Sequence, residues 1–137
     1  MARTPFQVEI LTPEGTVFDD EVEMISTMTS VGSVGVMANH TPLLAMLNSC
    51  ELRLYRDGGE ILRFAQGEGY MQVGDNRAMI LVEEAVPASE LDTQALKAEL
   101  DQARSDQAAA ESDSEAARVA ERQVARLEAF IAVADNS

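Results

Sequence analysis

One cysteine, one histidine, few basic residues and no long apolar run already restrict what this chain of 137 residues can be. Cys50 has no second thiol to pair with, so an intrachain disulfide and a cysteine-rich metal site are both excluded, and a reducing compartment is expected. His40 is the sole histidine, and neither a nucleophile elbow nor a paired metal-ligand motif accompanies it. No catalytic residue, metal or cofactor is therefore expected, and His40 reads as a packing or interface residue. Nothing approaches eighteen consecutive apolar residues, so no bilayer-spanning helix is expected. The start, Met1-Ala2-Arg3-Thr4-Pro5, carries neither an apolar stretch nor an Arg-rich run, so no leader is expected there.

Ten basic against 24 acidic side chains give a net charge of -14. Such a surface repels nucleic-acid phosphates and anionic headgroups, which excludes direct nucleic-acid or lipid binding and leaves the membrane reachable only through a partner. The excess is spread out, with 5 basic and 13 acidic residues in 1–86 and 5 and 11 in 87–137.

What is present changes character at Pro87. Up to it, short apolar runs alternate with turn residues. Phe6, Val8 and Ile10 fall on one face of a strand, and Thr12-Pro13-Glu14-Gly15 reads as a turn. Further strands are predicted at 21–28, 42–47, 51–55, 61–66, 69–73 and 77–82, with turns at Asp57-Gly58-Gly59 and Gly74-Asp75-Asn76. Gly32-x-x-Gly35 and Gly67-x-Gly69 lack the Lys-Ser/Thr ending of a phosphate loop and read as tight turns. Many short strands point to an antiparallel β-sandwich or flattened barrel over 1–86.

After Pro87 glycine is absent and alanine abundant, which predicts an antiparallel helical hairpin over 87–137. Ser89 is placed to cap the first helix, and Ser112 or Ser114 the second. Leu96, Leu100, Ala103, Gln107 and Ala110 form one apolar seam, and Ala117, Ala120, Val124, Leu127, Ile131 and Ala134 the other. With so much alanine in the seams the hairpin is expected to be marginally stable alone, able to dock on the sandwich or come away. Arg118, Arg122 and Arg126, four residues apart, make a basic stripe pointing away from the seam. It reads either as locally paired, Glu115 with Arg118 and Glu121 or Glu128 nearby, or as a surface for an acidic partner. Asp19-Asp20-Glu21 and Glu83-Glu84 read as solvated surface rather than a cation site.

Specific stretches carry a family likeness. Val8-Glu9-Ile10-Leu11-Thr12-Pro13-Glu14-Gly15 with Val17-Phe18, then Glu21-Val22-Glu23-Met24, resemble the first strands of the epsilon subunits of bacterial and plastid F-type ATP synthases. Gly32-Ser33-Val34-Gly35-Val36 through His40-Thr41-Pro42-Leu43-Leu44 resembles that family's most specific segment, and Gly69 to Val73 and Arg77 to Val82 resemble its later strands. The resemblance implies a non-catalytic rotor subunit without cofactor, peripheral on the cytoplasmic face of a bacterial plasma membrane or, less aptly, the stromal face of a thylakoid. It implies that Ser30, Val31, Gly32, Ser33 and Gly35 face the membrane c-ring and that His40, Pro42 and Leu43 lie near the gamma subunit. It also implies a hairpin that restrains ATP hydrolysis by reaching the alpha and beta subunits, with Arg118, Arg122 and Arg126 turned to an acidic segment.

The departures matter as much. Val31 and Ser33 stand where the ring-facing loop usually has a carboxylate, and Ala38-Asn39 replaces Pro-Gly, with asparagine expected to take the left-handed turn. The ATP-binding motif of some family members is degenerate here: Leu91-Asp92 is followed by no arginine, so ATP binding is not expected. A reading from another class is a free-standing acidic adaptor that uses the sandwich edge and the hairpin to bind soluble partners.

Overall fold

The computed structural model describes residues 3–136. Met1 and Ala2, where the leader reading begins, and Ser137 at the end of the hairpin segment lie outside them. Ten strands precede two helices: β1 (Phe6–Thr12), β2 (Gly15–Val22), β3 (Met24–Thr29), β4 (Gly32–Met37), β5 (Leu43–Leu47), β6 (Cys50–Tyr55), β7 (Ile61–Gln66), β8 (Gly69–Gly74), β9 (Arg77–Val82), β10 (Ala85–Pro87), α1 (Thr93–Ala109) and α2 (Glu115–Asp135). The strand order is β10-β7-β6-β3-β5-β8-β9-β1-β2, with β4 paired to β3 off this path. All pairs are antiparallel except β1 with β9. A single register pair, Thr29 with Leu47, joins β3 to β5, so the path turns a corner there and folds into two layers.

Alternation fills the space between the layers. Phe6, Val8 and Ile10 are buried as predicted, together with Ile25, Val36, Leu52, Leu54, Met71 and Ile80. Gln66 is the fully buried polar residue in this core. Its amide nitrogen donates to Asn48 O at 2.8 Å and its oxygen accepts from Thr27 Oγ1 at 2.9 Å, so its burial leaves nothing unpaired.

Several boundaries differ from the sequence reading. The predicted strand 21–28 is two strands broken at Glu23, because β2 already starts at Gly15. Gly35 is not a turn: it sits in β4 opposite Ser26, and only Gly32 takes the left-handed region, with φ of 131°. Gly69 opens β8, where a Cβ would lie 1.9 Å from the Leu81 carbonyl oxygen, so close strand approach rather than a turn requires glycine. Asp75 and Asn76 form the two-residue turn between β8 and β9, both at positive φ, as a primed hairpin turn demands. Pro87 belongs to β10 and pairs with Phe64.

The helix starts are also corrected in part. Ser89 lies in a short 3-10 turn, and Asp92 caps α1 instead, its Oδ1 accepting from Gln94 N at 3.1 Å and Ala95 N at 3.2 Å. Ser114 caps α2 through Ala117 N, one of the two serines predicted. Leu96, Leu100, Ala103, Val124, Leu127 and Ile131 meet between the helices. Gln107, however, is exposed, so the α1 seam stops short of it.

Candidate functional site

The pleat gives each layer an outer face, and the two faces meet different fates. On β6 and β7 the outward residues are Glu51, Arg53, Arg63 and Ala65, opposite one another in register. Helix α2 lies over them. Phe130 and Val133 are buried against Ala65, with Val86, Leu91 and Leu96 around them. Neither Phe130 nor Val133 belongs to the seam predicted from the sequence. They are three residues apart and offset from Leu127 and Ile131, a second apolar stripe that the alanine spacing concealed.

Two arginines border this contact. Arg63 Nη2 donates to Glu51 Oε2 at 2.9 Å and to the Val133 carbonyl at 2.9 Å, supplying a cation to the last turn of α2, which has no basic residue of its own. The Arg63 guanidinium, opposed by burial and assisted by Arg53, holds the Glu51 carboxyl down at about 2. On the other side Arg126 pairs with Glu84, lies 3.7 Å from Glu99 and places its guanidinium 5.1 Å from the Phe130 ring centroid. Glu84 is thus a half-buried partner of the hairpin, not solvated surface.

The basic stripe divides accordingly. Arg126 turns inward to the sandwich, whereas Arg118 and Arg122 stay exposed, 3.4 Å and 3.8 Å from Glu115. Glu128 pairs with Arg104 rather than with the stripe, at 3.6 Å. Leu91 packs in the docking contact and Asp92 caps α1, so both residues of the degenerate ATP motif have structural occupations. Cys50 sits in the cleft beside Ala129, Ala132 and Val133, and burial pushes its thiol up.

The other layer has an uncovered outer face. Met46, Tyr70, Leu81 and Leu11 follow one another across β5, β8, β9 and β1 in register, with Leu44 one step along. Leu44 is 72% exposed, Met46 58%, Tyr70 52% and Leu81 42%. A shallow cavity of about 560 Å³ lies along this row, lined also by Pro13, Glu68 and Glu83. A contiguous apolar row of this kind marks a protein interface. The loop before β5 leads into it. Asn39 has φ of 63°, as expected, and its N–H donates to Asn76 Oδ1 at 2.8 Å. His40 Nδ1 donates to the Thr41 carbonyl at 2.6 Å, Pro42 is exposed, and Leu43 packs against the core, leaving Leu44 as the side chain turned outward.

Ser30 and Val31 form the two-residue tip between β3 and β4. Thr29 Oγ1 donates to Gly32 O at 2.8 Å and accepts from Val31 N at 3.2 Å, and Ser30 N donates to Met46 O at 3.0 Å. The tip is therefore tied to the apolar row. Ser33 and Gly35 are exposed along β4.

Comparison with known proteins agrees with this geometry. Residues 5–88 match the family described as ATP synthase, Delta/Epsilon chain, beta-sandwich domain. The chain is 36% identical over 94 residues to the ATP synthase epsilon chain of Rubrobacter xylanophilus, covering 69% of this chain and 64% of that one. It is 38% identical over 98 residues to that of Syntrophomonas wolfei, covering 72% of each. A chain in a structure of the Euglena gracilis mitochondrial ATP synthase that includes the c-ring superposes with a TM-score of 0.78 at 26% identity, over 96% of this chain and 83% of that one. Among the described residues no helix is long and apolar enough to cross a membrane.

Two outcomes follow from the docking contact. Phe130→Ala removes its largest buried side chain, weakening docking by about 3 to 5 kcal/mol. Alkylation of Cys50 by a maleimide then accelerates by about tenfold or more, while an unchanged rate would mean that α2 does not cover the thiol. Glu51 titrates at about 2 when folded, below the usual 4.5, so the unfolded chain holds this proton more tightly. The stability it supplies is complete above pH 4.5 and is lost as pH falls toward 2. In urea titrations across that window Glu51→Gln should lose less stability than the unsubstituted chain; parallel losses would remove Glu51 from the acid response.

Proposed function

Because this chain belongs to the ATP synthase delta/epsilon chain family, we propose that it is a non-catalytic subunit of the central stalk of a rotary, proton-translocating ATP synthase. It performs no bond chemistry, and rotation of the membrane ring passes through it and the gamma subunit to the catalytic subunits. The observation that carries this reading is the open apolar row of Met46, Tyr70, Leu81 and Leu11, a sheet face that the chain's own helices leave bare while they cover the opposite one.

The division of labour is between residues 1–86, which hold two partners, and 87–137, which regulate. The gamma subunit takes the apolar row, with His40 and Pro42 at its margin and Leu44, rather than Leu43, as the outward leucine. The c-ring takes the tip formed by Ser30, Val31, Gly32, Ser33 and Gly35. This location makes the subunit peripheral, on the cytoplasmic face of a bacterial plasma membrane and attached only through its partners.

The hairpin is docked on the sandwich by Phe130, Val133, Arg63 and Arg126. Its release presents Arg126 along with Arg118 and Arg122 to an acidic segment of an alpha or beta subunit and restrains ATP hydrolysis. A contact with a small apolar centre and a polar rim is of the size and kind that opens and closes.

In extracts of washed membranes the chain should follow the gamma subunit through purification. Tyr70→Asp places a carboxylate in the apolar row and should weaken that association by about tenfold or more. A chain that stays in the supernatant would point to the free adaptor instead. Removal of 87–137 should raise ATP hydrolysis by the reassembled complex, and an unchanged rate would exclude an inhibitory hairpin.

A further inference from the structure

The layer that carries the hairpin is covered by α2 at one end only. In register across β4, β3, β6 and β7, Met37, Met24, Tyr55 and Ile61 form one outward row, and Gly35, Ser26, Arg53 and Arg63 form the next. The residues between these rows, Val36, Ile25 and Leu54, are buried in the core, which fixes the outward direction of both. Helix α2 reaches the second row through its Val133 carbonyl on Arg63. With the hairpin docked, Met37 is still 50% exposed and Ile61 45%.

The second row begins as a trough. Gly35 and Ser26 have little or no side chain, with Met24 and Met37 on one side of them and Met28 on the other. Gly35 is not at positive φ, and a Cβ there would meet only the Ile25 carbonyl oxygen, at 3.9 Å, so neither its conformation nor its surroundings within the chain call for glycine. A glycine inside a strand also marks the close approach of another backbone. Methionine walls suit such a place, because their unbranched side chains repack around whatever enters.

The local charge is the reverse of the chain's. Among the outward positions of these strands the ionic residues are Arg53, Arg63 and Glu51, and Arg3 places its guanidinium 3.7 Å from the Met24 sulfur. Three cations thus face one carboxylate, on a chain with 10 basic and 24 acidic residues. Glu51 engages Arg53 through Nε and not through the terminal nitrogens that a second carboxylate would meet. Arg3 has no ion pair among the described residues.

We propose that this face binds a protein segment that carries carboxylates beside an apolar side chain. The apolar side chain enters the trough over Gly35 and Ser26, Met24 and Met37 close on it, and the carboxylates meet Arg53 and Arg3. The apolar row on the other layer does not suit such a segment, because Glu68 and Glu83 line its cavity.

The test is a titration of the nitrogen-15-labelled full chain with a short synthetic peptide of alternating Leu and Glu, followed by amide chemical shifts. Amides of 24–26, 35–37 and 53–55 should shift and saturate, and raising salt from about 50 to about 500 mM should weaken binding by about tenfold. Arg53→Gln should weaken it by about fivefold or more. Met37→Ser leaves the pairs of Glu51 untouched and lies half-exposed on an edge strand, so the fold is retained; it should weaken binding by about threefold or more. A peptide of alternating Leu and Lys should leave these amides unmoved. Full binding by both variants, or shifts confined to the row of Met46 and Tyr70, would overturn the proposal. Shifts of the same amides with protein concentration alone would assign the face to a second copy, and equal shifts with anionic phospholipid vesicles would assign it to lipid; either result would overturn the acidic segment.

Discussion

Alternation along the strands commits every second side chain to an outer face, and a two-layer sandwich of this size has two such faces to cover. On β6, β7 and β10 the sequence places Ala65 and Val86 among Glu51, Arg53 and Arg63. A small apolar patch in a charged surround accepts one helix, and α2 supplies Phe130 and Val133 to fit it. On β5, β8, β9 and β1 the outward positions are Met46, Tyr70, Leu81 and Leu11, a longer and less polar surface. The hairpin reaches the first face and not the second. The second stays open, and the asymmetry of the described structure follows from which residues fall on odd and even positions of those strands.

The covered face is held by unlike interactions whose weakness is collective. Phe130 contributes most of the apolar burial, but Ala65 beneath it offers little surface in return. Arg63 completes the carbonyl end of α2 while also pairing with Glu51, and Arg126 closes the other side by pairing with Glu84 and covering Phe130. Each arginine is shared between the sandwich and the hairpin, so neither is left unpaired while the contact is closed. Guanidinium groups are well solvated in water, so the ionic rim adds only modestly to the apolar contact made by Phe130.

Legibility varied with the kind of signal. β7 and β9, each set off by glycine-containing turns, were readable to within a residue, and the period-two alternation of Phe6, Val8 and Ile10 identified the buried face of β1. β2 and β4 escaped because their exposed residues do not alternate, being on strands that bury little. Ser89 looked like a cap by residue type, but Leu91 is drawn into the docking contact and delays α1 until Asp92 takes that role. The pairing of Arg126 with Glu84, 42 residues away, has no local signature at all. Side chains that act through tertiary contact, Arg63 and Phe130 among them, become visible only when sheet and helix faces are superposed.

Charge is divided unevenly between the hairpin contact and the strands from β3 to β5. The hairpin is docked partly through charge-assisted bonds at its rim, Arg63 to the Val133 carbonyl and Arg126 to Glu84, so ionic strength acts on it. The interval from Met24 to Cys50 has no Asp, Glu, Lys or Arg, so no such bond forms there. The division is already present in the sequence, because none of the 24 carboxylates falls between Met24 and Cys50, while Glu84 and Glu51, which the arginines at the hairpin contact engage, lie outside that interval.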